Sequence, residues 1–517
     1  GIKRGQRCGM AIDHYHRYKE DIQLMRTLGC NAYHFSKEQH QQLSVIICRW
    51  YLSYVYSSLY WCWDNGNEEK RIFIDTENIS FPENFLWGTA AASYQCEGPG
   101  DKASVASNWS EWEPAGIKRG QRCGMAIDHY HRYKEDIQLM RTLGCNAYRF
   151  SLAWDKIEPI EGQYDKDVLA HYHDELKELH RQSIIPMITF HHFVHPLWFE
   201  QRSAFVNSSN IEIFVRFVID MFREFEDECY MWCTINEPEV YVSGGYFTGI
   251  FPPGHKSQAN EASLVLQHFL QAHIEIYDNI KRIARQPEKH SIGIVKDIFQ
   301  FDPWNPLNPL DIYASHILDY AMNGCILDFF RTGYLKWTMP GSIHRTYVNA
   351  RAPYTNDFIG LNYYSHFLVR FNLFKKPPFE ILHHQDNSGS SLMTDMAYPL
   401  YPEGLYRACI RLKNELPRIP IYITENGIAD RYDDRRHLFL RRYLYALSRA
   451  INEAHCDIRG YFYWSLIDNF EWAEGYDMKF GLYNVDLQTQ ERTLRDGSKY
   501  FQYVIQKYRE KYEKKNL

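Results

Sequence analysis

Eight short apolar segments, separated by amphipathic helical patterns, recur from residue 85 onward and constrain the fold more than any other feature. The segments are continuously apolar, as parallel strands covered on both faces are. Between them, apolar residues recur at i, i+3 and i+4, as Tyr172, Leu176 and Leu179 do. The predicted strands lie in residues 85–93, 146–154, 185–193, 231–238, 291–299, 357–365, 419–427 and 460–468. The predicted helices include 128–144, 167–183, 211–227, 262–284, 401–416 and 434–455.

This alternation predicts an α/β fold in which eight strands close into a (β/α)8 TIM barrel. An open, doubly wound sheet is the alternative architecture for alternating strands and helices. Such a sheet normally carries a phosphate-binding GxGxxG motif after its first strand, and the sequence has no such motif there. The closed barrel is therefore the favoured fold.

A long repeat precedes the barrel. Residues 1–33 recur unchanged at 116–148. The likeness continues for three more residues with one difference, since the first copy has His34 where the second has Arg149. The second copy supplies one helix and one strand of the predicted barrel, so it is the copy that the fold requires.

The first copy has no place in a barrel of eight strands. Residues 37–75 do not resemble the sequence after the second copy. We therefore expect residues 1–75 to be a partial duplication with an unmatched extension, loosely packed or disordered, and residues 76–517 to form the barrel. A swap in which the first copy replaces the second is less favoured, because no strand continues past Ser36.

The composition limits the classes of ligand that the protein is expected to bind and the compartment in which it is expected to lie. The net charge of −6 gives no electrostatic footprint for nucleic acid, and 16% aromatic residues suit flat ligands such as sugars. The 12 cysteines form no CxxC pair, which favours a reducing compartment and predicts a cytoplasmic protein. Residues 43–63 are long enough to span a membrane, but Arg49 and several tyrosines and serines argue against it.

Two glutamates end predicted strands in matching positions. Glu237 follows the fourth strand in "TINEP", and Glu425 follows the seventh in "ITENG". Pro238 is expected to keep Glu237 extended. Reacting groups in such barrels come from the C-terminal ends of strands, and we expect strands four and seven to face each other, so that both carboxylates lean over the central pit. Two carboxyls about 5–5.5 Å apart are what retaining glycosidases use.

The chain from about residue 81 to 510 resembles glycoside hydrolase family 1, the β-glucosidase family. The resemblance rests on five motifs in order: "FPENFLWGTAAASYQCEG", "TINEP", "GLNYY", "ITENG" and "WSLIDNFEWAEGYDMKFGLYNVD". It implies a retaining β-glycosidase with Glu237 as general acid/base and Glu425 as nucleophile. It also implies that Arg149 and Tyr364 support the nucleophile. No cofactor is expected.

The resemblance further implies a set of sugar-binding residues, whose amides, imidazole and carboxylate suit hydroxyl groups and whose indoles suit the ring face. The carboxylate of Glu471, followed by a bulky indole, would repel a sugar 6-phosphate, so an unphosphorylated β-glucoside or a related β-glycoside is the expected substrate. The set comprises Gln95, His192, Asn236, Trp464, Glu471, Trp472 and Phe480.

One motif departs from the family pattern. The family usually has "HWD" where this chain has His192, Phe193 and Val194. The change puts the geometry of this part of the sugar site in question. In the same stretch His191 and His195 could suggest a metal, but their spacing on a strand end does not converge, and no metal is expected. The alternative function is a non-catalytic, glycosidase-like binding module, although such members usually lose a carboxylate.

Overall fold

A computed structural model describes residues 79–100, 105–339, 342–375, 377–382 and 393–513, all within one unit, Asp75–Leu517. The predictions for residues 1–75, and for the apolar stretch 43–63, lie outside the described residues.

Eight parallel strands close into a barrel, as predicted. Seven of the predicted runs contain one strand each, and the eighth overlaps β13, which begins two residues earlier than predicted. Nearly every strand residue is buried because the pit lies on one face and helices on the other. The barrel strands are β1 (Leu86–Ala90), β2 (Ala147–Ser151), β3 (Ile185–His191), β4 (Met231–Asn236), β5 (Ser291–Asp297), β9 (Phe358–Asn362), β12 (Ile421–Asn426) and β13 (Ile458–Trp464). Their order around the ring is β1, β13, β12, β9, β5, β4, β3, β2 and back to β1.

Strands outside the barrel form three small sheets at its periphery. The sheet of β6 (Gln300–Pro303), β10 (His366–Phe371) and β11 (Phe379–Leu382) grows from the ends of β5 and β9. The other two are hairpin-like pairs. They are formed by β7 (Tyr334–Met339) with β8 (Ile343–Val348), and by β14 (Tyr483–Val485) with β15 (Arg492–Leu494).

The six predicted helices are all present, each within a few residues of its predicted ends. Their apolar stripes pack against the barrel, and Tyr172, Leu176 and Leu179 are fully buried. The α-helices are α1 (Ser93–Glu97), α2 (Asn108–Trp112), α3 (His129–Leu143), α4 (Trp154–Ile157), α5 (Lys166–Arg181), α6 (Leu197–Glu200), α7 (Asn210–Phe225), α8 (Pro238–Val242), α9 (Ala259–Ile283), α10 (Pro309–Asp319), α11 (Cys325–Thr332), α12 (Pro402–Glu415), α13 (Arg436–Asn452) and α14 (Lys499–Glu513).

Shorter helical turns complete the described fold. Two π-helices extend α8 and α10, and five 3₁₀ turns lie in loops. The π-helices are Ser243–Thr248 and Tyr320–Gly324, and the 3₁₀ turns are Lys118–Gly120, Ala204–Val206, Ala352–Tyr354, Trp472–Asp477 and Asp496–Ser498.

Two further observations bear on the sequence predictions. Among the helices of the described residues, none combines the length and apolarity needed to cross a membrane. Eight cysteines in the described ranges are buried and unpaired. The cytoplasmic location stays a prediction.

Candidate active site

Glu237 lies between the end of β4 and the first residue of α8, and its backbone is not extended as predicted. Its φ of 43° and ψ of 63° lie in the left-handed region. Pro238 occupies the first turn of α8, where a residue without an N–H is favoured. Proline disfavours the right-handed helical region for the residue before it, and here the chain meets that restriction with a left-handed residue. The Glu237 N–H donates to the Val295 carbonyl at 2.8 Å, which ties the turn to β5.

Glu425 lies at the end of β12, where the strand register shifts. The pairing of β12 with β9 runs regularly to Ile423 and resumes with Glu425 opposite Asn362. The carboxylate accepts a hydrogen bond from Arg149 Nη1 at 2.5 Å on Oε1 and from the Tyr364 hydroxyl at 2.9 Å on Oε2. Arg149 and Tyr364 therefore both contact Glu425, as the sequence predicts.

The strands that carry the two glutamates are three positions apart in the ring, with β9 and β5 between them. The expectation that strands four and seven face each other is therefore wrong, because opposite strands in a ring of eight are four positions apart. Both side chains nevertheless reach the same pit, since the intervening strand β9 supplies Asn362 between them.

Asn362 is a site residue that the sequence analysis did not single out, although it stands in the motif "GLNYY". Its Nδ2 donates to Glu237 Oε1 at 2.6 Å and to Asn236 Oδ1 at 3.2 Å. The Thr424 hydroxyl donates to Asn362 Oδ1 at 2.7 Å, which fixes the orientation of the amide. Asn362 ends β9, but the predicted strand run continues to residue 365, so Asn362 does not stand at a predicted strand end.

Arg149 completes a continuous network between the two carboxyls. Its Nη2 donates to Asn236 Oδ1 at 2.7 Å, and its Nε donates to the Thr189 hydroxyl at 3.1 Å. The guanidinium is 1% exposed, so its charge acts in a poorly screened environment. Glu425, Arg149, Asn236, Asn362 and Glu237 thus form one hydrogen-bonded chain.

The surroundings of the two glutamates differ in charge. Burial raises the pKa of Glu237 well above its usual range, and the negative charges of Glu425 and Asp297 add to that rise. Burial also raises the pKa of Glu425, but the Arg149 guanidinium and the Tyr364 hydroxyl oppose the rise. Since Glu237 has an amide donor where Glu425 has a cation, Glu425 loses its proton first. Of the two carboxyls, Glu425 is therefore the stronger acid.

The predicted sugar-binding residues come from several different strand ends. Gln95, on α1, donates through Nε2 to Glu471 Oε2 at 3.2 Å. Burial raises the pKa of Glu471 to about 8, while the Trp464 indole N–H opposes that rise. Gln95 Oε1 is buried and has no hydrogen-bond partner among the described residues. Gln95 therefore offers a free acceptor close to Glu471.

His192 lies on the β3 side of the pit. Its Nε2 lies 3.1 Å from Asn236 Nδ2 and 3.9 Å from Glu425 Oε1, and no described residue bonds its Nδ1. Burial, and then the charge of Arg149, lower the pKa of His192 well below its usual range, so the imidazole is neutral. The rings of Trp464 and Trp472 lie 5.8 and 5.9 Å from His192, and the Phe480 ring lies 6.1 Å from that of Tyr364.

Phe193 and Val194, where the sequence differs from the usual family motif, are packed among apolar side chains. Both side chains are buried, and the Phe193 ring lies 5.2 Å from Trp472 and 5.6 Å from Phe251. The Phe193 carbonyl accepts from Trp109 Nε1 at 3.1 Å, which holds this turn in place. Position 194 therefore carries a buried apolar side chain where the family usually has a carboxylate.

The neighbouring histidines bond to each other. His191 Nε2 and His195 Nδ1 are 3.4 Å apart, and His195 Nε2 lies 2.6 Å from Glu200 Oε2. In the part of the chain that the structure describes, no group of three or more His, Cys, Asp and Glu side chains is arranged to hold a metal ion.

Comparison with known proteins agrees with this geometry. The family model of glycosyl hydrolase family 1 matches residues 2–38 and 77–510. A 6-phospho-β-galactosidase from Leptotrichia buccalis is 32% identical over 476 residues, which cover 82% of this chain and 98% of that protein. A 1,4-β-D-glucan glucohydrolase from Thermotoga neapolitana is 32% identical over 451 residues, with 82% and 98% covered. Among solved structures, a rice β-glucosidase mutant in a covalent complex with glucose has a TM-score of 0.75 at 29% identity, with 82% and 98% covered.

Proposed function

Because this chain belongs to glycosyl hydrolase family 1, a family of glycosidases, we propose that it hydrolyses unphosphorylated β-glucosides or related β-glycosides with retention of configuration. Glu425 is the nucleophile and Glu237 the general acid/base. The observation that carries this proposal is the asymmetry of the two carboxyls: Arg149 and Tyr364 hold Glu425, whereas Glu237 has an amide donor, Asn362.

In the first step, a carboxylate oxygen of Glu425 attacks the anomeric carbon while the bond to the leaving oxygen breaks. Glu237 gives its proton to that oxygen, so the leaving group departs as a neutral alcohol. The raised pKa of Glu237 keeps the proton available at neutral pH. The sugar is then an ester of Glu425, as the covalent glucose complex of the rice relative illustrates for that protein.

In the second step, Glu237 acts as a base. Formation of the ester removes the negative charge of Glu425, which is one cause of the raised pKa of Glu237, so that pKa falls. The Glu237 carboxylate takes a proton from water, and the water oxygen attacks the anomeric carbon. The ester bond breaks, Glu425 regains its charge, and Glu237 is again protonated.

Buried polar atoms without a hydrogen-bond partner support the proposal that the pit binds a sugar. Gln95 Oε1 and His192 Nδ1 are buried at the pit without a partner among the described residues, and a buried polar atom in that state is costly unless a ligand satisfies it. Sugar hydroxyls both donate and accept, so they suit such atoms. Asn236 is assigned to the 2-hydroxyl, and the indoles of Trp464 and Trp472 to the ring face. Phe480 adds an apolar contact beside Tyr364.

The choice between a free sugar and a 6-phosphate follows from charge. Relatives at similar sequence identity include both a 6-phospho-β-galactosidase and a glucan glucohydrolase, so sequence identity does not distinguish between the two kinds of substrate. The Arg149 guanidinium is already paired with Glu425. The Glu471 carboxyl supplies no positive charge to a phosphate dianion, and it repels one when it ionises through its pKa of about 8, which favours the unphosphorylated sugar. Both carboxyls and their network are intact, which disfavours the binding-module alternative.

The test is a panel of nitrophenyl β-glycosides with purified protein, in matched free and 6-phosphorylated forms. The free form is expected to have at least about 100-fold higher kcat/KM, the factor that about 2.7 kcal/mol produces. A 2-deoxy-2-fluoro glycoside should label Glu425, and Glu425→Gln should abolish both labelling and turnover. A preference for the phosphorylated form refutes the substrate proposal alone, and labelling at another residue refutes the mechanism.

A further inference from the structure

A third carboxyl, that of Asp297, ends β5, and so far it has entered only as a charge that adds to the raised pKa of Glu237. The residue is 4% exposed, the same fraction as Glu425, and its Oδ1 has no hydrogen-bond partner among the residues that the structure describes.

The direction of the Asp297 side chain follows from its neighbour Lys296. The Lys296 Nζ reaches the helical layer outside the barrel, where it donates to the Met322 carbonyl at 2.9 Å and to Asn323 Oδ1 at 3.4 Å. Successive side chains of a strand point to opposite faces. Asp297 therefore points into the barrel, beside Glu237 on the adjacent strand β4.

The positive charge next to Asp297 is already engaged elsewhere. Lys296 Nζ lies 3.0 Å from Glu239 Oε1, and the same oxygen accepts the Asp297 backbone N–H at 2.8 Å. Burial, then the charge of Glu239, raise the pKa of Asp297 well above its usual range. Asp297 is thus a carboxyl facing the pit that no lysine or arginine in the described ranges binds directly.

The position of β5 in the ring decides which part of a substrate Asp297 can meet. β5 is four positions from β1 in either direction, so it stands opposite the wall that carries Gln95. Gln95 and Glu471 hold the cleaved sugar in the proposed function, and Glu237 protonates the leaving oxygen next to β5. The leaving group therefore extends toward Asp297.

We propose that Asp297 binds a hydroxyl group of the leaving group, so that the enzyme prefers β-glycosides whose leaving group is itself a sugar or another polyol. This inference rests on the proposed function. A hydroxyl can donate and accept, so it pairs with this carboxyl in either protonation state, whereas an apolar leaving group leaves it unsatisfied. No bond is made or broken at Asp297.

The test compares two substrates that share the cleaved glucose and differ in hydroxyl groups on the leaving ring: a β-linked glucose disaccharide and cyclohexyl β-glucoside. Asp297→Leu keeps the branching at Cγ and has no polar atom, although its side chain is larger, and Asp297→Ala is the smaller apolar variant. The leucine variant is expected to lower kcat/KM for the disaccharide about 10-fold or more, the factor that about 1.4 kcal/mol produces. The value for the cyclohexyl glucoside should fall less, so the ratio of the two kcat/KM values is the readout. A change in the pKa of Glu237 acts on both leaving groups alike, whereas only the disaccharide loses a hydroxyl contact.

Controls separate this effect from loss of folding. Asp297→Asn keeps hydrogen-bonding atoms at the same place and should restore most of the disaccharide activity. Asp155→Asn removes another buried carboxyl, on α4, whose Oδ2 also has no partner among the described residues. It should leave the ratio of the two substrates unchanged. Asp297→Ala provides a second apolar variant if the leucine variant fails to fold.

Two outcomes are distinguishable. An equal fall for both substrates in the leucine and alanine variants, with the native fold retained, overturns the role of Asp297 while leaving the glycosidase activity established. Absence of turnover of both substrates by the unmodified protein overturns the proposed function instead, and the inference with it.

Discussion

The contact between Arg149 and Glu425 allows a substitution that the chain itself suggests, because the first copy of its repeat carries histidine at the matching position. Arg149→His removes a permanent cation that lies 2.5 Å from Glu425 Oε1 and is 1% exposed. A neutral imidazole in its place cannot hold the carboxylate ionised, and burial of both groups disfavours charging the imidazole. The variant is therefore expected to protonate Glu425 at a higher pH.

The size of the expected shift in the pKa of Glu425 follows from the distance between the two charges. Two unit charges about 4 Å apart interact by about 4 kcal/mol at an effective dielectric of about 20. That energy corresponds to a shift of about 3 pKa units, and rearrangement of water or side chains around Glu425 makes the actual shift smaller. We expect the acid limb of the pH profile of kcat/KM to move up by about 1–3 pH units. Activity at neutral pH should fall about 10-fold or more as the ionised fraction of Glu425 falls.

Stability should change with pH in a defined direction. Removing one partner of a buried pair costs about 3–5 kcal/mol. A carboxyl whose pKa in the folded state is raised above its unfolded value contributes stability that is fully present below the unfolded pKa. That stability is lost as pH rises through the folded pKa. The destabilisation of Arg149→His should therefore be smallest near pH 4 and should grow toward neutral pH, as chemical denaturation at several pH values would measure.

A matched control exists in Arg492, whose side chain is also 1% exposed and is paired with a buried carboxylate, Asp136, at 2.9 Å. Arg492→His should lose stability and keep the acid limb of the profile, because Asp136 takes no part in the site. The reasoning about Arg149 is refuted if Arg149→His keeps the acid limb of the unmodified enzyme to within about 0.3 pH units.

Three further substitutions test other parts of the site. Glu237→Gln should lower kcat/KM by about 100-fold or more for alkyl glycosides, but far less for dinitrophenyl glycosides, whose leaving group needs no proton; an equal loss on both would contradict the acid role. Asn362→Ala removes a donor that opposes the rise in the pKa of Glu237, so the basic limb of kcat/KM should move up, and a downward shift would argue against it. Glu471→Gln should be as stable as the unmodified protein near pH 4 and more stable above pH 8. The reason is that the folded pKa of Glu471, about 8, lies above its ordinary value, so the stability of the protonated form is lost as pH rises through it. Urea titrations across that range would contradict this if the stabilities of the two proteins kept a constant difference, or if the variant became the less stable one at high pH.

Local pattern was sufficient for the fold and for proposing a reacting pair. The apolar runs and the helical stripes involve residues close along the chain, so the eight barrel strands and the six predicted helices appear near their predicted positions. Glu237 and Glu425 stood out as candidates because each ends an apolar run, which is where a barrel exposes side chains to its pit. The motifs that surround them pointed to the same two residues.

The tertiary structure decided the backbone conformation of Glu237, the residue that lies between the two carboxyls, and the electrostatic environment of the buried carboxyls around them. The left-handed backbone of Glu237 depends on its N–H bond to Val295, which is 58 positions away along the chain but adjacent in space. Asn362 joins the carboxyls only because ring closure places β9 between β4 and β12. The raised pKa of Glu471 and the orphaned carboxyl of Asp297 are products of burial, and burial is a sum over neighbours from distant segments. A sequence specifies its own periodicity, whereas the electric environment of a side chain is a property of the assembled barrel.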